Sequence, residues 1–192
     1  ILEIADDEEE CKMFSPYGDA LLSALKKLFQ KSLGLNTDVL LEDVLNAISM
    51  LSSVFDLEFA KYASDFLPGL KQLLDTVPNT DEKHTNIRLN AIVCMGFIVT
   101  CMRNLDGFSN EVDQMMEYFV THQNRIAKDD PEQACIMDVY TQISSHMNEQ
   151  FVKYMPHIFE RVLEAFDIEV KLATHLDSEI QDLAKKKFVL TV

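Results

Sequence analysis

Four cysteines (Cys11, Cys94, Cys101, Cys135) and five histidines (His84, His122, His146, His157, His175) are the residues whose types could hold a metal or work as nucleophile and base. Zinc needs such residues at short spacings, C-x2-C above all, and no two of the cysteines stand that close. No two histidines have the H-x3-H spacing that sets both rings on one helical face. The five glycines are scattered, so no loop can cradle a phosphate. The sequence therefore predicts no catalytic, cofactor-binding or metal-binding residue, and a protein that is not an enzyme. Cys94 and Cys101 lie seven apart in the apolar run Ala91–Met102, which puts them on one buried helical face. They read as reduced core thiols. His146 and His157 read as surface or internally satisfied rings.

Charge sets the next boundary. Acidic residues number 32 and basic residues 17, a formal net charge of −15. Phosphate backbones need a basic surface, so direct nucleic-acid binding is not expected. Basic partners are favoured instead. At 47% apolar and 26% charged residues, the chain has enough apolar matter for a packed core. Only 5 Gly and 5 Pro argue against an all-β fold, which needs frequent turns. The run Ala91–Met102 is too short to cross a bilayer, and no membrane partner is expected. The chain opens Ile-Leu-Glu and reads as an excerpt of a longer one.

The elements that organise these residues repeat. Phe59-Ala60-Lys61-Tyr62 returns 92 positions later as Phe151-Val152-Lys153-Tyr154, with Ser52-Ser53 matched by Ser144-Ser145. Phe108 lies halfway, 46 from each tyrosine, and Tyr17 lies 45 before Tyr62. After each anchor runs one helical stripe: Leu21, Leu22, Leu25, Leu28, Phe29; Phe66, Leu67, Leu70, Leu73, Leu74; Val112, Met115, Met116, Phe119; Ile158, Phe159, Val162, Leu163, Phe166. A second helix precedes three of the anchors: Thr37–Phe55, Asn86–Arg103 and Pro131–Met147. Asp130, Pro131 and Gln133 offer a cap, a first-turn proline and a capping box to the last of these. Gly34 is expected to close the first anchor helix, and Gly107 to turn the third pair.

Two antiparallel helices in 45–46 residues match the HEAT and armadillo class. The predicted fold is an all-α HEAT-repeat α-solenoid, a right-handed stack of helix pairs. The first helix of each pair (A) belongs on the convex side and the second (B) on the concave side. Residues 1–177 give about three and a half repeats (partial 1–33, then 37–77, 80–126 and 130–167). Residues 1–14 read as the tail of an earlier helix, and 178–192 as an irregular charged tail or remnant of an insertion.

The segment Phe59–Lys71, Phe-x-Lys-Tyr-x-x-x-Phe-Leu-Pro-x-Leu-Lys, resembles the start of a B helix in importin-β-type nuclear transport receptors. Leu40–Leu74, Phe108–Met116, Lys128–Pro131, Phe151–Pro156 and Ile168–Asp177 resemble the importin beta-3 branch in particular, in chain order. The resemblance implies a central fragment of a nuclear import receptor, working in cytoplasm, nucleus and nuclear pore. Its partners would be basic cargo signals on the concave face and phenylalanine-glycine nucleoporins between convex helices. Ran-GTP would engage repeats near the amino terminus of a full-length receptor, to which nothing here corresponds. The acidic insertion expected after Asp177 is replaced by a short stretch ending in Lys185-Lys186-Lys187.

Residues between the stripe positions of each B helix then become cargo-binding candidates: Asp65; Asn110, Glu111, Asp113, Glu117 and Tyr118; Glu160 and Glu164. The acids would hold lysines, while Tyr118 and Asn110 would supply flat contact and amide hydrogen bonds. The alternative is another HEAT scaffold, of the phosphatase-regulatory or chromosome-organising type.

Overall fold

A computed structural model describes residues 15–35 and 38–163. Helix α1 spans Gly18–Leu35, α2 Asp38–Phe55, α3 Ala63–Thr76, α4 Glu82–Cys101, α5 Phe108–Gln123 and α6 Pro131–Met147. A last helix, α7, covers 155–163. Among the described residues there is no strand, and no helix is long and apolar enough to cross a membrane. The fold is an all-α repeat solenoid. Residues 1–14, 36–37 and 164–192 lie outside the description, and with them Cys11, Glu164, Phe166, His175 and the expectations for both ends.

The four anchors fall at equivalent places. Tyr17, Tyr62 and Tyr154 each end a 3-10 segment (Ser15–Tyr17, Asp56–Tyr62, Asn148–Tyr154) that leads straight into a B helix. Phe108 is the first residue of α5, preceded by Gly107 at φ +91°. Only glycine adopts that conformation cheaply, and it ends a run of turns over 102–107 that stands where a 3-10 segment stands elsewhere.

Helices α2, α4 and α6 form one layer, and α1, α3, α5 and α7 supply the B side. Packing is closest within the A layer. Helix α4 lies at its centre, with Ile87, Ala91, Ile92, Met95, Ile98 and Val99 all buried. That is why its sequence is apolar around the whole circumference and not along one stripe. Gly96 lets α6 approach, since a Cβ there would stand 2.8 Å from Val139 Cγ2. Gly69 does the same for α3 against Phe29 of α1, at 2.7 Å. The stripes of α3 and α5 are buried throughout.

Several local expectations change. Helix α4 starts at Glu82, four residues before Asn86, because Asp81 caps it: its carboxylate accepts from the His84 amide at 2.9 Å. Gly34 falls inside the last turn of α1, which runs to Leu35. At α6 the Asp130 carboxylate accepts from the Glu132 amide at 2.9 Å, but the capping box does not close. Gln133 instead donates its side-chain amide to the carbonyls of Gln123 and Ala127, at 3.2 and 3.3 Å, tying α6 to the end of α5. Phe159 and Leu163, read as stripe residues, are 56% and 66% exposed. Leu21 and Leu28 are exposed too. These four belong to the first and last described B helices, each of which has a described neighbour on one side only.

Candidate functional site

Between α3 and α5 the B side opens into a cleft of about 420 Å³. Lys71 and Asp75 come from α3; Gln114, Glu117, Tyr118 and Thr121 face them from α5. The α5 residues recur three or four apart, so one helical face supplies them. Tyr118 is half-buried and donates its hydroxyl to the Lys71 carbonyl at 3.2 Å and to Asp75 Oδ1 at 3.4 Å. Its ring carries the Lys71 ammonium at 5.4 Å and stacks on His122 at 6.0 Å, with an interplanar angle of 11°. Burial, then the Asp75 charge, pushes the phenol well above its ordinary value. Glu117 is exposed beside it.

Beneath the cleft lies a buried ionic cluster. Arg88 of α4 forks onto Glu132 of α6, with Nε on Oε1 and Nη2 on Oε2 at 3.0 Å. Its Nη1 donates to the carbonyls of Leu74 and Val77 at the end of α3, both at 2.7 Å. His122 Nε2 lies 2.6 Å from Glu132 Oε2. A carboxylate only accepts, so Nε2 carries the proton; its 3.4 Å approach to Arg88 Nη2 sets two donors side by side and is no bond. Burial alone would raise the Glu132 pKa, but the hydrogen bonds from His122 and Arg88 and the Arg88 charge leave it lowered. One guanidinium thus joins the end of α3 to the start of α6, and His122 ties the end of α5 to the same carboxylate.

The outer acids meet lysines of the chain itself. Asp19 on α1 lies 2.6 Å from Lys61 Nζ and accepts from the Tyr62 hydroxyl. Asp113 on α5 lies 2.5 Å from Lys153 Nζ and accepts from the Tyr154 hydroxyl. Each ammonium also sits over its neighbouring ring, 5.1 Å from the Tyr62 centroid and 5.0 Å from that of Tyr154. Phe59 and Phe151 are buried and meet those tyrosines edge-on. The repeated Phe-x-Lys-Tyr is therefore a clamp, in which a buried phenylalanine holds the next two polar side chains against an acid one repeat earlier. Hydrogen bonds from the lysine, then the tyrosine, hold both carboxyls below the ordinary range. Around the first clamp is a hollow of about 260 Å³.

Of the sequence-predicted site residues, Glu117 and Tyr118 share the cleft. Tyr118 is engaged with α3 and His122, so its ring offers no open platform. Asp65 bonds to Lys26 of α1 at 2.6 Å, and Asp113 sits in its clamp. Asn110 is exposed in the first turn of α5, Glu111 is partly buried, and Glu160 is exposed on α7. They do not converge on one point. The Arg88–Glu132–His122 cluster was not read from the sequence. Its available signals were an arginine beside the most apolar run and a glutamate following a helix-starting proline.

The family model described as importin subunit beta-1-like, TPR repeats, matches residues 9–185. The chain belongs to the importin-β family. The family description says TPR, but the spacing of 45–46 in this chain is that of HEAT-type pairs, longer than the 34 of a TPR. Repeats of the importin-β family are scaffolds of transport receptors. No solved structure matches the chain.

Proposed function

We propose that the chain is a section of a nuclear import receptor, of the importin beta-3 branch, that docks lysine-rich localisation signals along its B-helix face. Membership of the importin-β family carries this reading. A net charge of −15 supports it, since complementary charge speeds encounter with basic segments and turns away acidic ones. Glu117 in the cleft and Glu160 on α7 are the exposed acids assigned to cargo. Phenylalanine-glycine nucleoporins are assigned to the A side, Ran-GTP to other parts of a full-length receptor, and the place of work to cytoplasm, nucleus and nuclear pore.

The test is binding of a lysine-rich signal peptide and of phenylalanine-glycine repeats to the chain. Glu117→Lys with Glu160→Lys should weaken the signal peptide several-fold at low salt, and raised salt should shrink the difference. No binding of either ligand would overturn the reading. A scaffold of another kind is favoured by one observation, the internal pairing of Asp65 and Asp113. Acids occupied in joining repeats are what a rigid adaptor needs, and an adaptor would bind neither ligand.

A further inference from the structure

We propose that Asp19 and Asp113 are ammonium-binding positions occupied by the chain's own lysines, and that a lysine-rich segment docks by taking the places of Lys61 and Lys153. The inference rests on the reading of the B-helix face as a surface for basic segments, and it states how that surface is regulated.

Both positions have the same parts: a carboxylate, a tyrosine hydroxyl donating to it, a tyrosine ring beneath the ammonium, and a buried phenylalanine three residues before the tyrosine. The tyrosine and the lysine play different roles. Phe59 and Phe151 anchor the segments, so each hydroxyl stays on its carboxylate when the lysine leaves. The lysines are 58% and 47% exposed on flexible stems, so each can swing into water without moving the core. What remains is an oriented carboxylate beside an aromatic face, a combination that suits a second ammonium.

The exchange conserves charge: one ammonium returns to water as another is bound. A single incoming lysine therefore gains little over the resident one. Exposed pairs of this kind resist rupture by a factor of only about two to five. A ligand that occupies both positions at once gains by linkage, because its second lysine binds at high effective concentration. Asp19 and Asp113 belong to the B helices of the first and third repeats. Two helix-to-helix steps, the second widened beyond the 8–10 Å of packed helices by the cleft between α3 and α5, separate them by roughly 20 Å. An extended segment covers that in about six residues. The favoured ligand is an extended chain with basic residues about six apart, and the resident lysines screen out cations that engage one position only.

The experiment compares four forms of the 192-residue chain. These are the parent, Lys61→Gln with Lys153→Gln, Lys27→Gln with Lys31→Gln, and Asp19→Asn with Asp113→Asn. The probe is a fluorescent glycine-serine peptide carrying lysines six apart, titrated at low salt and followed by anisotropy. Lys27 and Lys31 are exposed on α1, so their removal changes net charge equally without opening a clamp. The Lys61/Lys153 variant should bind about two- to fivefold more tightly for each clamp opened. The Lys27/Lys31 variant should stay near the parent, and the Asp19/Asp113 variant should bind more weakly. Equal affinity of the two lysine variants would overturn the exchange while leaving the basic-segment reading in place. So would an Asp19/Asp113 variant that binds like the parent. Absence of binding by every form would overturn both.

Discussion

The thiol of Cys94 donates to the carbonyl of Leu45, 49 positions earlier in the chain, at 3.1 Å. Seven residues on, Cys101 does the same to Ser52 at 3.3 Å. Cys135 carries the pattern into the next A helix, with its thiol 3.6 Å from the Leu89 carbonyl. Each cysteine thus reaches back about one repeat, on helices close enough for a side chain to touch a neighbour's backbone. Burial pushes the Cys94 and Cys101 thiols up to about 12 and that of Cys135 up to about 11.

Those thiols should therefore be inert in the folded chain. In a Cys11→Ser background, Ellman's reagent at pH 8 should label Cys135 first and leave Cys94 and Cys101 to global unfolding. Mass spectrometry of quenched samples gives the order. Early labelling of Cys94 would show that the A layer opens locally.

The stripe residues should differ sharply in worth. Phe66→Ala empties a buried position beside Phe29 and Phe59, whose rings lie 5.8 and 5.6 Å away, and should cost about 3–5 kcal/mol. Phe159→Ala removes a ring already more than half in water and should cost less than about 1 kcal/mol. Urea titrations followed by circular dichroism compare them, and equal losses would contradict the burial.

Arg88→Met leaves Glu132 buried without its main partner and should destabilise the chain by about 3–5 kcal/mol. Adding Glu132→Leu should recover much of that, because the stranded charge is then gone. A double-mutant cycle measures the recovery. Simple addition of the two losses would mean that the fork contributes no coupling.

The same carboxylate gives a pH signature. Its folded pKa lies below the ordinary 4.5, so the unfolded chain takes up its proton first as pH falls. The stabilisation is complete above about pH 4.5 and drains away as pH drops through the lowered folded value. Between pH 5 and pH 3 the parent should lose stability more steeply than Glu132→Gln, which has nothing to titrate there. Parallel curves from thermal melts would remove Glu132 from the acid response.

Gly96→Ala should cost about 1–3 kcal/mol, because the new Cβ would lie 2.8 Å from Val139 Cγ2. Val139→Ala in the same chain should return part of the loss. A melting temperature unchanged by Gly96→Ala would mean that α4 and α6 can separate freely.

The solenoid was legible because periodicity is a property of one strand of text. Stripes, anchors and the 92-residue echo of Phe-x-Lys-Tyr follow from spacing alone. Partner choice was not legible, because it depends on the register between B helices. Asp65 and Asp113 read as free acids until α1 and the segment before α7 bring Lys26 and Lys153 to them. His122 and Glu132 lie 34 and 44 positions after Arg88, and each alone looks like an ordinary polar residue. Gln133 had the right type for a capping box, but two carbonyls at the end of α5 compete for its amide. Phe159 fits its stripe by spacing, yet no described helix covers it and it is more than half exposed.

The two layers hold their neighbours by different means. Between A helices the contacts are buried: thiols on carbonyls, a glycine with no side chain to yield, and the Arg88–Glu132 fork. Along the B side, buried stripes are supplemented by exposed joints: lysines, aspartates and a cleft within reach of dissolved ions. Added salt should therefore loosen the exposed joints along the B side while leaving the buried contacts between A helices in place.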